Sequence, residues 1–273
     1  SLNSSCYLLM VDSHDSSPLD RGTMGTTSVA ASDETMCMIR TADGERLVTP
    51  LGPDLARVAV EHARPIREVT SYKQKRSFEG DYWSATLGCL VHHESGLEKR
   101  FAVEADFRRE VVAYSWQPLI FSWPRGTPGR RDHVPDFFCR LASGDGLVVD
   151  VKSADHTEAA ADQFALTRTA CETVGWQYEV FSGWEPQRAF NMEHLCTYRR
   201  TRFVPDPSVR DAALTAFDGG ASFNLGMRRL MREAALPEHE ARMHLYNMMW
   251  HQQLTFDLEQ PLRSSTIVTA ESA

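Results

Sequence analysis

Two short apolar runs joined by a turn, residues 137–141 and 146–151, constrain the fold more than any other part of the sequence. The link between them contains Ser-Gly-Asp, which is typical of a hairpin loop, and the second run is β-branched enough to be a buried strand. In an antiparallel pair, the start of the first strand lies beside the end of the second. The hairpin therefore brings Asp136 and Asp150 together at one edge of a sheet.

The residues at this edge have the chemistry needed to hydrolyse a phosphodiester. Side chains alternate along a strand, so Asp150 and Lys152 point to the same face. Mg²⁺ prefers oxygen ligands and usually takes one or two protein carboxylates, while water and phosphate complete its shell. A neighbouring lysine can hold or deprotonate the attacking water and stabilise the transition state. Taken alone, the same pattern also fits a turn aspartate followed by a strand-end Asp-Lys pair in solvent.

A helix is predicted upstream over residues 94–105, because an apolar residue recurs there every four positions. Glu94 and Glu98 are also four residues apart and share one helix face. The apolar neighbours of Glu98 favour it as the carboxylate that reaches a metal, whereas Glu94 suits the start of the helix. Pairing of Glu98 with a nearby arginine is an equal alternative.

The flanking sequence completes an α/β pattern. Residues 111–116 and 119–121 read as strands that Gln117 interrupts, a helix follows over about 157–173, and 178–181 reads as a further strand. The predicted order is a helix with Glu, a strand leading to Gln, a strand with Asp, a strand with Asp-x-Lys, a helix and a last strand.

This order and these motifs resemble the PD-(D/E)xK nuclease superfamily, and within it the TnsA-like endonuclease subunits of heteromeric transposases. The segments that carry the resemblance are 71–83, the Glu98 helix, Gln117-Pro118, 133–137, 149–152 and 249–262. Together they span about residues 65–270. The resemblance implies an α/β fold with a restriction-endonuclease-like core, in which helices flank a mixed sheet.

The resemblance also implies roles for individual residues. Glu98, Asp136 and Asp150 would be metal ligands for Mg²⁺, with Mn²⁺ able to substitute. Lys152 would be the catalytic lysine and Gln117 an ancillary active-site residue. Proteins of this kind cut one strand at each transposon end, generally the 5′ side. They act beside an integrase-type transposase subunit and often with an ATP-dependent transposition regulator.

A formal net charge of −8 argues against strong independent DNA binding. Basic residues nevertheless occur where phosphates are expected to approach: Lys73, Lys75, Arg76, Arg130 and Arg131. His133 is a further candidate DNA contact, although a hydrogen bond at the entry to the strand explains it equally well. The prediction is weak intrinsic DNA affinity and recruitment by a DNA-bound partner.

Three segments are predicted along the chain. Residues 1–62 are rich in Ser, Thr, Asp and Gly without a sustained period and are expected to be mobile. Residues 63–203 form the nuclease domain, and 204–273 a winged-helix-like α+β domain that a Pro-rich link introduces. Its helices are expected over 208–217, 223–234 and 237–249, and its hairpin strands over 254–258 and 266–268. The third helix carries acidic residues and methionines, which favours a protein partner over DNA, although the methionines also fit a core.

Composition narrows the remaining classes. No apolar run approaches the length of a membrane helix, so no membrane partner is expected. Six scattered cysteines without CxxC spacing favour reduced thiols, and with the resemblance they predict a bacterial cytoplasmic protein. Two alternatives stay open: a stand-alone restriction or repair nuclease, and a non-catalytic adaptor that keeps the nuclease fold. Clustered charges, which are costly to bury, argue against the adaptor.

Overall fold

The computed structural model describes residues 34–67, 79–127 and 132–271, a mixed α/β structure in which helices flank the sheets. The strands are β1 (Met36–Arg40), β2 (Arg46–Pro50), β3 (Gly80–Trp83), β4 (Leu90–His93), β5 (Val111–Trp116), β6 (Leu119–Ser122), β7 (Phe137–Leu141), β8 (Gly146–Val151), β9 (Gln177–Phe181), β10 (Ala221–Ser222), β11 (Leu254–Thr255) and β12 (Ile267–Ala270). The helices are α1 (Gly96–Phe107), α2 (Ala161–Val174), α3 (Pro186–Cys196), α4 (Pro207–Ala216), α5 (Phe223–Glu233) and α6 (Glu238–Trp250).

A mixed four-stranded sheet in the order β5-β7-β8-β9 lies at the centre. Strand β7 is antiparallel to both β5 and β8, and Phe137 lies opposite Val149. The predicted hairpin is therefore confirmed. Strands β8 and β9 are parallel, which requires a crossover, and α2 lies in the connection between them. The predicted order of helices and strands from α1 to β9 is also confirmed.

The structure differs from the expectation of a mobile segment over residues 1–62. Residues 34–62 contain β1 and β2, and β1 pairs with both β2 and β6. Leu55 and Val60 are buried in a second hydrophobic core with residues of β7, β8 and α2. Glu61 and Arg140 form a partly buried ion pair 3.0 Å apart. Long-range packing therefore stabilises this stretch without a local period in the sequence. Residues 1–33 lie outside the described residues.

The C-terminal part contains the three predicted helices, α4, α5 and α6, followed by the predicted hairpin of β11 and β12. The two-residue strand β10 also pairs with β12, giving the sheet order β10-β12-β11. Helix α3, which the sequence patterns did not predict, packs between α1 and α6.

The main hydrophobic core crosses the domain boundary predicted at residue 204. It includes Phe101 and Phe137 on one side and Leu230 and Trp250 on the other. The rings of Phe107 and Trp250 meet edge to face with centroids 5.3 Å apart. The two predicted domains therefore share one core. Of the helices in the described part of the chain, none combines the length and apolarity needed to cross a membrane.

Candidate active site

The site lies where the start of β7 meets the end of β8. Asp136 immediately precedes β7, and its Oδ2 accepts a hydrogen bond of 2.7 Å from the backbone N–H of Val151. Asp150 is the penultimate residue of β8 and is almost completely buried. The structure thus brings Asp136 and Asp150 to one sheet edge, as the hairpin pattern predicts.

Two side chains hold the carboxylate of Asp150. The imidazole Nε2 of His133 lies 2.8 and 3.0 Å from its two oxygens. The hydroxyl of Tyr178, on the neighbouring parallel strand β9, donates to Oδ2 at 2.6 Å. The backbone of His133 is itself fixed by pairing with Phe121. Burial and the adjacent Asp150 charge raise the pKa of Tyr178, so Tyr178 stays a hydrogen-bond donor. The contacts with His133 and Tyr178 fix the orientation of the Asp150 carboxylate.

Glu98 reaches the same region from the first turn of α1. The helix begins after Ser95, whose Oγ accepts from the Glu98 N–H at 3.1 Å. The Glu98 carboxylate accepts in return from Ser95 Oγ at 2.9 Å and from the Glu94 N–H at 2.8 Å, an arrangement close to a capping box. It also accepts from the indole N–H of Trp116 at 3.4 Å. No arginine in the described residues pairs with Glu98, so the arginine alternative is not seen there.

Gln117 occupies a strained position between β5 and β6. Its φ of +43° is in the left-handed region, which costs a non-glycine residue on the order of 1–3 kcal/mol. Its N–H donates to the Asp136 carbonyl at 2.8 Å, and its side-chain amide lies 3.5 Å from a Glu94 oxygen. The side chain is 2% exposed, yet its Oε1 has no partner in the described residues. This buried acceptor oxygen belongs to the side chain whose amide nitrogen approaches Glu94.

The electrostatics of the site show that its acidic groups act on one another. Burial first, and the negative charges of Asp150 and Glu98 after it, raise the pKa of Asp136 from 3.8 to about 7. The Val151 hydrogen bond and the nearby His133 oppose this increase. Asp136 therefore ionises near neutral pH, and a bound cation would favour its ionised form.

Lys152 is placed differently from these residues. Its side chain is exposed, and its backbone N–H donates to the Phe181 carbonyl at 3.0 Å. It lies just beyond the end of β8, at the same sheet edge as Asp150. Within the described residues, its ammonium group makes no hydrogen bond or ion pair.

The donor chemistry of the cluster fits a hard cation, because carboxylate and amide oxygens are ligands that Mg²⁺ accepts. Asp136, Asp150, Glu98 and Gln117 supply such oxygens. As they are arranged, however, the described residues include no group of three His, Cys, Asp or Glu side chains that could hold one ion together. Glu98 and Asp150 each use their oxygens as acceptors for hydrogen bonds within the protein.

Other predicted contacts lie elsewhere. The candidate DNA-binding residues Lys73, Lys75, Arg76, Arg130 and Arg131 are outside the described residues. His133 has both the strand-entry backbone bonds expected for it and a side-chain contact to Asp150. Sequence reasoning missed Tyr178, because only the parallel register of β9 beside β8 brings it to the site.

The fold and the site together define a mixed α/β protein with a cluster of acidic side chains at one edge of its central sheet. In comparisons with known proteins, no family model and no curated protein matches the chain. Conclusions about function therefore depend on the geometry of the site.

Proposed function

We propose that this protein is a Mg²⁺-dependent DNA endonuclease of the PD-(D/E)xK type, acting as the endonuclease subunit of a heteromeric transposase. The carboxylate cluster carries the proposal. Asp136, Asp150 and Glu98 come from different elements to one edge of the sheet, where burial and the charges of Asp150 and Glu98 raise the pKa of Asp136 to about 7. Grouping like charges in a partly buried place costs free energy, and such groups are typical of functional sites.

The order of elements supports the same proposal. Helix α1 with Glu98 precedes β5, β7 and β8, and α2 then leads to the parallel strand β9. This is the order that the resemblance to the nuclease superfamily implies. In the C-terminal part, three helices followed by a small antiparallel sheet are compatible with the proposed winged-helix-like domain.

Each residue would have a distinct role in hydrolysis. Asp136, Asp150 and Glu98 would hold Mg²⁺ after Asp150 and Glu98 exchange some of their present hydrogen bonds for the ion. When bound, the ion would neutralise charge on the scissile phosphate and acidify water. Lys152 would orient the attacking water and stabilise negative charge as it builds up on the phosphate. The unpaired Oε1 of Gln117 would accept a hydrogen bond from water at the site. Water adds to phosphorus, one P–O ester bond breaks, and the leaving oxygen takes up a proton.

Dependence on partners is part of the proposal. A chain with a net charge of −8 is poorly suited to bind DNA strongly alone. An integrase-type transposase subunit, acting with an ATP-dependent regulator, would therefore bring it to transposon ends. A bacterial cytoplasmic setting is also proposed. The five cysteines in the described residues are free thiols, as a reducing compartment would keep them.

The test is strand-specific nicking of labelled DNA that carries the ends of the element encoding the protein. Reactions contain Mg²⁺ or Mn²⁺, with and without the transposase subunit. Asp150→Asn and Lys152→Ala are the active-site variants. Asp145→Asn is the matched control, because Asp145 lies in the turn at the opposite end of the same hairpin, and in the described residues its side chain bonds only to Ser143.

Each outcome distinguishes one function. Partner-dependent cleavage of one strand by the wild type and by Asp145→Asn, but not by the two active-site variants, supports the proposal. Cleavage of any DNA without the partner identifies a stand-alone nuclease. Partner binding without cleavage under either condition identifies an adaptor. Normal cleavage by Lys152→Ala contradicts the proposed mechanism.

A further inference from the structure

Helix α5 has two opposed faces. Its buried face consists of Phe223, Gly226, Met227 and Leu230. Its opposite face, called the α5 arginine face, consists of the exposed residues Leu225, Arg228, Arg229 and Arg232. Both sets follow the spacing of a single helix face, so packing against the core fixes which residues point outward.

In the described residues, two arginines of the α5 arginine face have no acidic partner within ion-pair distance, and the exposed carboxylate of this helix, Glu233, lies at its C-terminal end. No carboxylate in the described part of the chain pairs with Arg228 or Arg232, and Arg229 donates to the backbone oxygen of Ala216 at 3.2 Å. Arg228 and Arg232 are one turn apart, a spacing at which like charges repel by a few tenths of a kcal/mol, about 0.2–0.5. Two other exposed arginines, Arg100 and Arg210, have an acidic neighbour within ion-pair distance, whereas Arg57 and Arg200, also exposed, have none in the described residues.

The loop before β12 extends this positive surface. The backbone N–H of Asn224, in the first turn of α5, donates to the Ser264 carbonyl at 3.0 Å. Arg263, the preceding residue, is exposed. Arg263 therefore lies beside the N-terminal end of the α5 arginine face, on a chain whose overall charge is negative.

We infer that the α5 arginine face, together with Arg263, binds the phosphate backbone of duplex DNA. Uncompensated arginines along one helix face are complementary to a polyanion. The four exposed positions span about 10 Å along the helix axis, and a helix of this kind fits a major groove about 12 Å wide. The choice of DNA as the occupant rests on the proposed function, and the inference adds the surface that would bind it.

Helix α6 does not offer a comparable surface. It begins with Glu238 and Glu240 in its first turn, and its C-terminal half from Leu245 to Trp250 is buried. Of the three methionines that suggested a protein-binding helix, Met248 and Met249 belong to the core and Met243 is partly buried. Within this part of the protein, charge and exposure both favour α5 as the helix that faces nucleic acid.

The test measures binding of a labelled DNA duplex by fluorescence anisotropy over a range of salt concentrations, without Mg²⁺, so that no cleavage occurs. The test variant is Arg228→Gln with Arg232→Gln, which leaves the Arg229 contact to Ala216 intact. The matched control is Arg100→Gln with Arg210→Gln, which removes the same charge from ion-paired arginines. Thermal melting verifies that both variants fold.

The expected result is a loss of about tenfold or more in affinity for the test variant, and a slope of log K against log salt that is smaller by about 2. The control should change affinity less than about twofold, in keeping with the small effect of exposed ion pairs. Equal losses in both variants, no loss in the test variant, or no measurable binding by the wild type at low salt would overturn the inference. Unchanged DNA binding with lost transposase binding would overturn it too, in favour of a protein-docking face.

The same experiment separates the two proposals. Asp145→Asn, in the exposed turn of the β7–β8 hairpin, should bind DNA like the wild type. If DNA binding depends on Arg228 and Arg232 while no condition yields cleavage, the nuclease proposal fails and the α5 inference stands. If the wild type cleaves DNA and the arginine variant binds and cleaves normally, the α5 inference fails and the nuclease proposal stands.

Discussion

Replacing Asp136 by Asn should stabilise the folded protein at neutral and alkaline pH. The substitution keeps an oxygen that can accept the Val151 N–H bond but removes the negative charge that Asp150 and Glu98 oppose. Acidic residues are seldom stabilised by losing their charge, so the sign of this effect reports the free-energy cost of ionising Asp136 in its buried place beside Asp150 and Glu98.

The magnitude follows from the pKa of Asp136. In the folded protein this pKa is about 7, against 3.8 for an ordinary aspartate. When Asp136 is ionised in both states, this difference lowers the free energy of unfolding by about 4 kcal/mol. Because the folded pKa is raised, the stability associated with the protonated form is complete below pH 3.8 and is lost as the pH rises through about 7. From pH 5 to pH 8, the difference in the free energy of unfolding between the Asn variant and the wild type should increase by about 2–3 kcal/mol.

Urea unfolding at several pH values, followed by the fluorescence of the buried tryptophans, measures this gap. Asp145→Asn, in the exposed turn of the same hairpin, is the control and should show no widening. Adding Mg²⁺ or Mn²⁺ at pH 8 should stabilise the wild type, since a ligand that binds only the folded state raises its stability, and should stabilise Asp136→Asn much less.

One result would refute the reasoning outright. If Asp136→Asn is as stable as the wild type at pH 5 and no more stable at pH 8, Asp136 does not carry a raised pKa. The acidic groups would then not be coupled, and the observation that carries the proposed function would be lost.

Three further predictions concern other parts of the structure. Tyr178→Phe removes the hydroxyl that orients Asp150 and should weaken Mn²⁺ binding about tenfold or more without changing the melting temperature, as a metal titration and a melting curve would show. Arg140→Ala leaves its acidic partner unpaired and should cost about 3–5 kcal/mol in urea unfolding; a loss below about 1 kcal/mol would mean that residues 34–62 are not integral to the fold. Gly226→Ala places a methyl group against an aromatic ring and should lower the melting temperature sharply, whereas Gly96→Ala, with open space around it, should not.

Local patterns in the sequence predicted much of the fold. The strands β7 and β8 begin and end where the apolar runs do, because turn composition and β-branched residues act over a few positions. The three C-terminal helices were predicted for the same reason. Helix α3 was missed because its pattern is weak: Phe190, in its middle, is exposed, and the helix is stabilised by packing on α1 and α6.

Contacts between distant segments could not be predicted in this way. The sequence placed Asp136 beside Asp150 through a hairpin, but the contact of His133 with Asp150 depends on pairing with Phe121. The contact of Tyr178 depends on the parallel register of β9. The strain at Gln117 is likewise visible only in the backbone dihedral angle. Roles in metal binding and cleavage stay predictions for all of these residues.

The core shared across residue 204 has a consequence for how the protein is made. Helix α1 carries Glu98 and ends at Phe107, whose ring packs against Trp250. The Gln252 side chain donates a hydrogen bond of 2.6 Å to the Phe107 carbonyl. A nascent chain therefore lacks the support for α1 until residues near 250 have left the ribosome. Prematurely terminated chains would contain the acidic residues of the site without the packing that aligns them.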